Sequence, residues 1–269
     1  MRKLHLIAAS IIALFGFAVL PVGAALPIEA PICPDASEEI ISDRPDISTS
    51  AIAVPKGSLQ VGNGFDWTSG QGSDVAHFPE TVLRGGVAHC TEATISLPSY
   101  STAVRGPAQS GFSDVQVTLK RQLVTLPGKM DVSGVLGLGF PVGHNTGWCG
   151  GYNSFVELPW RERLDKNWMV NGMVKLSWYD GLSNCNPTLE PTFVLSRRLG
   201  WRISLFSEYV GEFEQHGRPS QLVNMGSIYR LTRTQLFWFR FGFGFTKAAP
   251  DQFFGLGYTF RLDDVLPTH

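Results

Sequence analysis

The sequence predicts an all-β protein: a single antiparallel up-and-down transmembrane β-barrel of about 12 strands, preceded by an irregular N-terminal segment. Three observations predict this fold. An apolar leader opens the chain, strand-like alternation of apolar and polar residues runs from about 58 to 262, and short connections alternate with long ones. The predicted division is a signal peptide (1–24), a periplasmic or plug segment (25–57), the barrel (58–262) and a C-terminal tail (263–269).

The leader has the three parts of a secretory signal peptide. Arg2 and Lys3 precede an apolar run from Leu6 to Leu20, and the small-residue pattern Val22-Gly23-Ala24 follows. Its apolar core is short for a membrane anchor. We therefore expect export through the secretory pathway and, for a barrel, location in the outer membrane of a Gram-negative bacterium.

Composition excludes two classes of protein. The 269 residues include 22 basic and 23 acidic side chains, so the chain lacks the high net charge of disordered proteins and the basic excess of nucleic-acid binders. No segment after the leader approaches about 18 consecutive apolar residues. If the mature chain lies in a membrane, it crosses as strands.

Alternation is clearest in the C-terminal part. Phe237, Phe239, Phe241, Phe243 and Phe245 are interleaved with Trp238, Arg240, Gly242 and Gly244, so one face of a strand is wholly aromatic. Similar segments predict strands near 58–68, 80–88, 91–99, 112–124, 130–141, 151–162, 166–179, 187–198, 201–213, 222–232, 235–247 and 251–262.

The connections between these segments sort by length. Those after even-numbered strands are short, whereas most after odd-numbered strands, including 69–79 and 100–110, are long and rich in Gly, Ser or Pro. Short turns at one rim and long loops at the other are typical of outer-membrane barrels. The alternative is a soluble secreted β-sandwich, whose apolar faces would pack on each other.

Charged residues of both signs fall on the predicted inner face, where they line a pore or form a structural lattice of ion pairs. The pore-lining candidates are Arg84, Lys120, Asp131, Glu157, Lys175, Arg202, Glu208, Arg230 and Arg240; Arg197 is also assigned to this face. Neither sign dominates, so we predict no strong ion selectivity. Asp43, Arg44 and Asp46 either enter the lumen as a plug or belong to a solvated periplasmic linker.

Four cysteines in an oxidising compartment predict two disulfides. Cys149 and Cys185 lie in successive long loops, whereas Cys33 and Cys90 lie at the opposite rim. Only the pairing Cys33–Cys90 with Cys149–Cys185 keeps each pair on one side of the membrane. No Cys-x-x-Cys spacing supports a zinc site, and we predict no metal and no cofactor.

The histidines do not indicate catalysis. His77, His144 and His216 fall in predicted outer loops, and no His-x-Ser pattern lies on a predicted strand. The Gly-x-Gly runs within strands precede no helix and indicate space for large neighbours such as Trp238 or Arg240. We predict that the protein is not an enzyme.

Residues 41–46 (Ile-Ser-Asp-Arg-Pro-Asp) and 54–60 (Val-Pro-Lys-Gly-Ser-Leu-Gln) resemble the outer-membrane β-barrel family named for the meta-pathway of phenol degradation, often labelled "transporter". The resemblance is strongest over 41–68 and looser through 111–114 and the last strand. It implies an outer-membrane barrel that passes small aromatic or other hydrophobic molecules.

The expected function is therefore passive uptake of small, hydrophobic or aromatic solutes through an outer-membrane channel. The alternatives are a plugged structural or surface-interaction barrel that acts through its outer loops and, with less support, a barrel hydrolase. The expected partners are membrane lipid, the outer-membrane assembly machinery and a small-molecule solute, with no nucleic acid.

Overall fold

The computed structural model describes residues 29–107, 110–126, 129–143, 151–180 and 186–266. These residues contain no apolar helix of membrane-spanning length. The predicted signal peptide lies outside the described residues. The fifteen strands are β1 (Leu59–Gly70), β2 (Ser73–Phe78), β3 (Val82–Ala88), β4 (Thr91–Ser96), β5 (Tyr100–Arg105), β6 (Gly111–Phe112), β7 (Val115–Leu126), β8 (Met130–Phe140), β9 (Asn153–Arg163), β10 (Trp168–Tyr179), β11 (Thr188–Leu199), β12 (Ile203–Glu214), β13 (Ser220–Arg230), β14 (Gln235–Gly244) and β15 (Gln252–Leu262).

Twelve of these strands close into an antiparallel ring. From β7 to β15 each strand pairs with the next one in sequence, β4 pairs with β7, and β3 joins β4 to β1. The ring closes where β1 pairs with β15, from Leu59 opposite Leu262 to Ser69 opposite Gln252. The predicted barrel of twelve strands is confirmed, and closure removes the free edges that an open sheet would expose.

The three remaining strands continue ring strands beyond interruptions. β1 pairs with β3 through Leu59–Gly62 and with β2 through Asp66–Gly70, so β2 and β3 lie in line along it. In the same way, β5 pairs with β2 and with β6 in the half of the barrel away from the chain termini. Pro79 and Pro98 lie at two of the interruptions, as expected for residues that cannot donate a backbone hydrogen bond.

Two predicted loops are therefore wrong. Much of 69–79 is strand: Gln71 and Gly72 adopt φ angles of 52° and 80° and form a two-residue turn from β1 into β2. Tyr100–Arg105, expected in the second loop, is β5. The Gly, Ser and Pro content of these segments indicated loops, but the tight turn and the prolines interrupt the strands only locally.

The outer face of the barrel carries a continuous apolar band. Phe237, Phe239, Phe241, Phe243 and Phe245 are 41–53% exposed, whereas Trp238, between two of them, is 3% exposed. The indole of Trp238 fits inside because Gly64 and Gly257 face it, and a Cβ atom at either glycine would overlap its ring. An apolar exterior around a polar interior is the arrangement that a barrel in lipid requires.

The N-terminal segment is tied to the end of the barrel that has the short turns. Cys33 forms a disulfide with Cys90 in the β3–β4 turn, with a Cα–Cα distance of 4.9 Å. This predicted pair is confirmed; Cys149 and Cys185 lie outside the described residues. In the C-terminal tail, the N–H groups of Val265 and Leu266 donate to the Gly57 carbonyl at 3.0 and 2.9 Å, so both ends of the barrel chain meet here.

Candidate functional site: the barrel interior and its plug

Residues 40–55, termed the plug below, run through the barrel interior. Ile40, Ala51, Ile52, Ala53 and Val54 are all at most 4% exposed. Their sequence has neither strand nor helix periodicity, so their backbone groups need partners outside regular secondary structure. Side chains of the barrel wall supply many of these partners.

The first attachment lies against β3, β4 and β7. Glu92 accepts a hydrogen bond from the Val54 N–H at 2.8 Å and is paired with Arg84 at 2.8 Å and with Lys120 at 3.3 Å. Asp43 of the plug joins the same group, 3.2 Å from Arg84 and 3.5 Å from Lys120. Two cations therefore face two carboxylates, which offsets the desolvation of the buried Arg84, Glu92 and Lys120.

The second attachment lies against β12 and β13. The Glu208 carboxylate accepts the N–H groups of Ile47 and Ser48, both at 2.8 Å, and the Ser48 hydroxyl at 2.6 Å. Asn224 donates to the same carboxylate at 2.8 Å. Since Glu208 is only 1% exposed, four donors around one anion form a strong, charge-assisted attachment for the plug.

The third attachment surrounds Arg44. Its guanidinium lies 3.2 Å from Asp66 and 2.6 Å from Glu80, and its carbon Cζ lies 5.8 Å from the centre of the Trp238 ring. Asp66 is also paired with Arg240 at 2.6 Å. The plug thus contributes a cation to one side of the wall and, through Asp43, an anion to another.

Asp46 has no cation at ion-pair distance among the described residues. Burial raises the pKa of Asp46 well above its usual range, and the neighbouring Glu208 carboxylate adds to this rise. A hydrogen bond with Asn171 acts in the opposite direction. The surroundings of Asp46 in the plug therefore disfavour its ionised form.

The other lining candidates also form ion pairs, two of them along the wall and one with the N-terminal segment. Asp131 is paired with Arg161 at 2.6 Å, Glu157 with Lys175 at 3.8 Å, and Arg230 with Glu39 at 3.5 Å. Lys175 also lies in register with Glu190 on β11. Of the nine candidates, the structure turns the following eight inward: Arg84, Lys120, Asp131, Glu157, Lys175, Glu208, Arg230 and Arg240.

Arg202 is placed differently from the prediction. It lies in the exposed β11–β12 turn, beyond the reach of strand alternation, because Gly200 with a φ of 77° reverses the chain there. Its guanidinium stacks on Trp201 and donates to the Tyr229 hydroxyl at 3.2 Å. Arg197 is also exposed, on the same outer face as Phe193 and Leu195, so its inward assignment is wrong as well.

Two interior residues were missing from the predicted lining: His77, which fell in the predicted loop 69–79, and Glu80, the first residue of the predicted strand 80–88. Glu80 binds Arg44, and His77 of β2 lies with Nδ1 2.8 Å from the Ser101 hydroxyl. The strand-like spacing of residues from Ser73 to His77 was the sequence signal that could have placed His77 on a strand. Among the described residues no carboxylate is hydrogen-bonded to His77, and Asp66 opposite it is held by Arg44 and Arg240. This arrangement lacks the orienting acid of a hydrolase triad.

One cluster has the composition of a metal site. Cys33, His89 and Cys90 place their ligand atoms within 4.8 Å of one another, the only such group of three among the described residues. The two sulfurs are joined in the disulfide, so neither is a thiolate ligand. In this state the cluster holds a cross-link rather than a metal.

Comparison with known proteins adds the family. Residues 42–262 match the family described as "Putative MetA-pathway of phenol degradation". The chain belongs to this family. The match covers the plug from residue 42 onward and the whole barrel, in agreement with the resemblance of residues 41–68. No curated protein sequence matches this member of the phenol-degradation family.

Solved structures share the barrel fold at low sequence identity. The COG4313 outer membrane channel from Pseudomonas putida F1 superimposes with a TM-score of 0.65 at 12% identity, covering 82% of this chain and all of that one. The NanC porin gives a TM-score of 0.56 at 11% identity, covering 76% of this chain and 100% of its own. The KdgM porin gives 0.54 at 8%, covering 75% and 98%. These likenesses establish a shared fold.

Proposed function

We propose that this protein is an outer-membrane channel for passive uptake of small, hydrophobic or aromatic solutes, and that displacement of the plug opens it. The observation that carries the proposal is the manner in which the lumen is closed. Polar attachments at Glu92, Glu208 and Arg44 hold the plug inside a barrel with an apolar exterior. Discrete attachments can be released without unfolding the surrounding sheet.

The inner wall supports a hydrophobic solute. Besides charges, it presents Phe155, Met173, Phe206 and Phe253, each at most 7% exposed. Apolar and aromatic side chains with a few oriented polar groups are the usual lining of sites for such molecules. The family description, and the porins and channels that share this fold, also support a transport function.

Locking the plug to the wall tests this proposal. The hydroxyl oxygens of Ser48 and Thr192 are 2.5 Å apart, so cysteines at these two positions are placed for cross-linking. In liposomes, we expect uptake of a small aromatic such as a monohydroxylated benzene through the wild-type barrel. The oxidised Ser48→Cys/Thr192→Cys variant should block this uptake, and a reductant should restore it.

Wild-type protein treated with the same reductant controls for the native disulfide at Cys33. Equal uptake by locked and reduced variants would overturn a role for the plug. Absence of uptake and of bilayer conductance in every form would overturn the channel. That second outcome would instead favour the other candidate, a plugged barrel acting through its outer loops, which the dense filling of the lumen supports.

Outer-membrane location and delivery by a signal peptide of about 24 residues belong to the same proposal, as do lipid and the assembly machinery as partners. Membrane fractionation of cells that express the full chain tests them. The barrel should appear in the outer-membrane fraction, shortened at its N-terminus, and should be lost from it when residues 1–24 are removed.

A further inference from the structure

Two arginines lie on the outside of the barrel, at the end that has the short turns. Arg197 stands near the end of β11 on the lipid-facing side, in line with the exposed Phe193 and Leu195. Arg202 stands in the turn that leads into β12 and is also exposed. A guanidinium on the outer face needs a reason, since most of this face is apolar.

Both arginines lie against aromatic rings that fix their position. The guanidinium carbon of Arg197 is 5.1 Å from the centre of the Trp168 ring, and that of Arg202 is 4.5 Å from the Trp201 ring. Arg202 also donates one hydrogen bond to the Tyr229 hydroxyl. Stacking on a ring leaves the N–H edge of a guanidinium available for an acceptor.

Neither arginine has a carboxylate at ion-pair distance in the described part of the chain. Their neighbour Arg198, which points inward, does have one and is paired with Glu39. Asp165 in the adjacent β9–β10 turn instead accepts the backbone N–H groups of Asn167 and Trp168 at 2.6 and 2.8 Å. These two guanidinium groups, on the outer face at the end with the short turns, therefore have no carboxylate partner among the described residues.

Apolar side chains continue from the arginines toward the middle of the barrel. Leu199, Ile203 and Leu205 are 40–44% exposed on the same outer surface. A ligand here would meet cations at the rim and hydrocarbon-like surface beside them. Positive charges beside an apolar surface match a lipid in which an anionic phosphodiester headgroup is attached to acyl chains.

We propose that Arg197 and Arg202, with Trp168, Trp201 and Tyr229, form a binding site for the headgroup of an anionic phospholipid, represented by phosphatidylglycerol, in the periplasmic leaflet. The site rests on the proposed location, in which the short turns face the periplasm. An anionic headgroup fits better than a zwitterionic one, because the ammonium group of phosphatidylethanolamine would meet the same two positive charges.

Native mass spectrometry of the full-length barrel tests the site. The protein is reconstituted into vesicles of equal parts phosphatidylglycerol and phosphatidylethanolamine and then extracted in mild detergent. We expect wild-type protein to retain phosphatidylglycerol preferentially. The Arg197→Gln/Arg202→Gln variant should lose this preference, by about fivefold for each arginine removed.

The matched control is Arg218→Gln/Lys247→Gln, which removes two exposed charges at the opposite rim and should retain phosphatidylglycerol as the wild type does. Equal retention of both lipids by wild-type protein would overturn the proposal without any variant. Equal losses in the two double variants would overturn it too, as would preferential retention of phosphatidylethanolamine. None of these measurements depends on solute flux, so failure of the channel proposal remains distinguishable.

Discussion

Glu208 lies on the inner face of β12 and accepts four hydrogen bonds, three of them from Ile47 and Ser48 of the plug. Replacement by Gln removes the charge and brings an N–H group toward donors. Since a hydrogen bond to a buried charge contributes about 1.5–3 kcal/mol, we expect Glu208→Gln to lower plug retention by at least that amount. Planar-bilayer recordings should show more frequent or longer openings than in the wild type.

Glu212→Gln is the control for this change. Glu212 lies on the same strand and the same face, four residues along from Glu208, and among the described residues it forms no hydrogen bond or ion pair with the plug. Its replacement should leave the conductance close to that of the wild type. Equal openings in both variants would show that the lumen charge, rather than the attachment, controls the pore.

The raised pKa of Asp46 predicts how docking of the plug depends on pH. Because burial and Glu208 raise the pKa of Asp46 in the docked plug, docking favours the protonated acid. The plug is then held more firmly below this raised pKa and less firmly as the pH rises through it. Glu208, Asp43 and Arg240 are the charges that act on this group.

We therefore expect the open probability in bilayer recordings to fall as the pH is lowered from neutral. Asp46→Asn should be nearly insensitive to pH and should resemble the wild type at low pH. A wild-type response that survives in Asp46→Asn would assign the titration to another group.

Close packing inside the wall gives a stability prediction for one glycine. A Cβ atom at Gly257 would overlap the Trp238 indole and the Asn63 carbonyl, whereas one at Gly62 would meet Thr259 at 3.4 Å, an ordinary contact. Gly257→Ala should destabilise the barrel by about 1–3 kcal/mol, as overpacking does. Gly62→Ala should have a small effect in the same urea-unfolding experiment, and equal midpoints would contradict the packing described for Trp238.

At the scale of elements, the structure separates what alternation can predict from what it cannot. Twelve strands, the faces of most of their residues and the Cys33–Cys90 pair followed from the sequence because each depends on local period or on which rim a residue reaches. β2 and β5 were missed because Pro79 and Pro98 interrupt strands that then continue. Arg202 was misassigned because turn geometry, not alternation, orients it.

The plug lay beyond the reach of periodicity. Asp43 and Arg44 have the same local sequence whether they are solvated or buried, and their burial depends on partners such as Arg84, Lys120 and Glu80, remote in sequence. The burial of the plug could have been predicted only by pairing the inward-facing charges of the strands with the charges of residues 40–55. Such a comparison does not specify which residues form the pairs.

The disulfide connects the N-terminal segment to the sheet, and it acts differently from the plug attachments. It closes a loop of 57 residues between Cys33 and Cys90, which restricts the unfolded chain and contributes about 2–4 kcal/mol to the free energy of unfolding. Cys33→Ser/Cys90→Ser should therefore lower the urea midpoint. Glu92 and Glu208 still hold the plug in this variant, so its bilayer conductance should stay near that of the wild type, and openings as frequent as those of Glu208→Gln would contradict separate roles.

For the whole molecule, the outer band sets how the barrel sits in lipid. The five rings from Phe237 to Phe245 span eight residue-to-residue steps of β14 and its extension, roughly 27 Å at about 3.4 Å per step. Tilt of the strand shortens its projection on the membrane normal toward the apolar band of about 25 Å found in outer-membrane barrels. The five rings are also 41–53% exposed. Exposure of this apolar surface is unfavourable in water and favourable in lipid hydrocarbon.

Spin labels placed singly at Phe239 and Phe241 in the reconstituted barrel should therefore be relaxed by dissolved oxygen and protected from a water-soluble nickel complex. A label at Arg218, in the exposed turn between β12 and β13, should show the opposite preference and serves as the control. Access of the nickel complex to the ring positions would mean that this face borders water, and lipid could then not be the partner of the outer surface. Because every strand of the ring alternates in the same sense, such a result at one strand would reverse the assignment of inside and outside for all twelve.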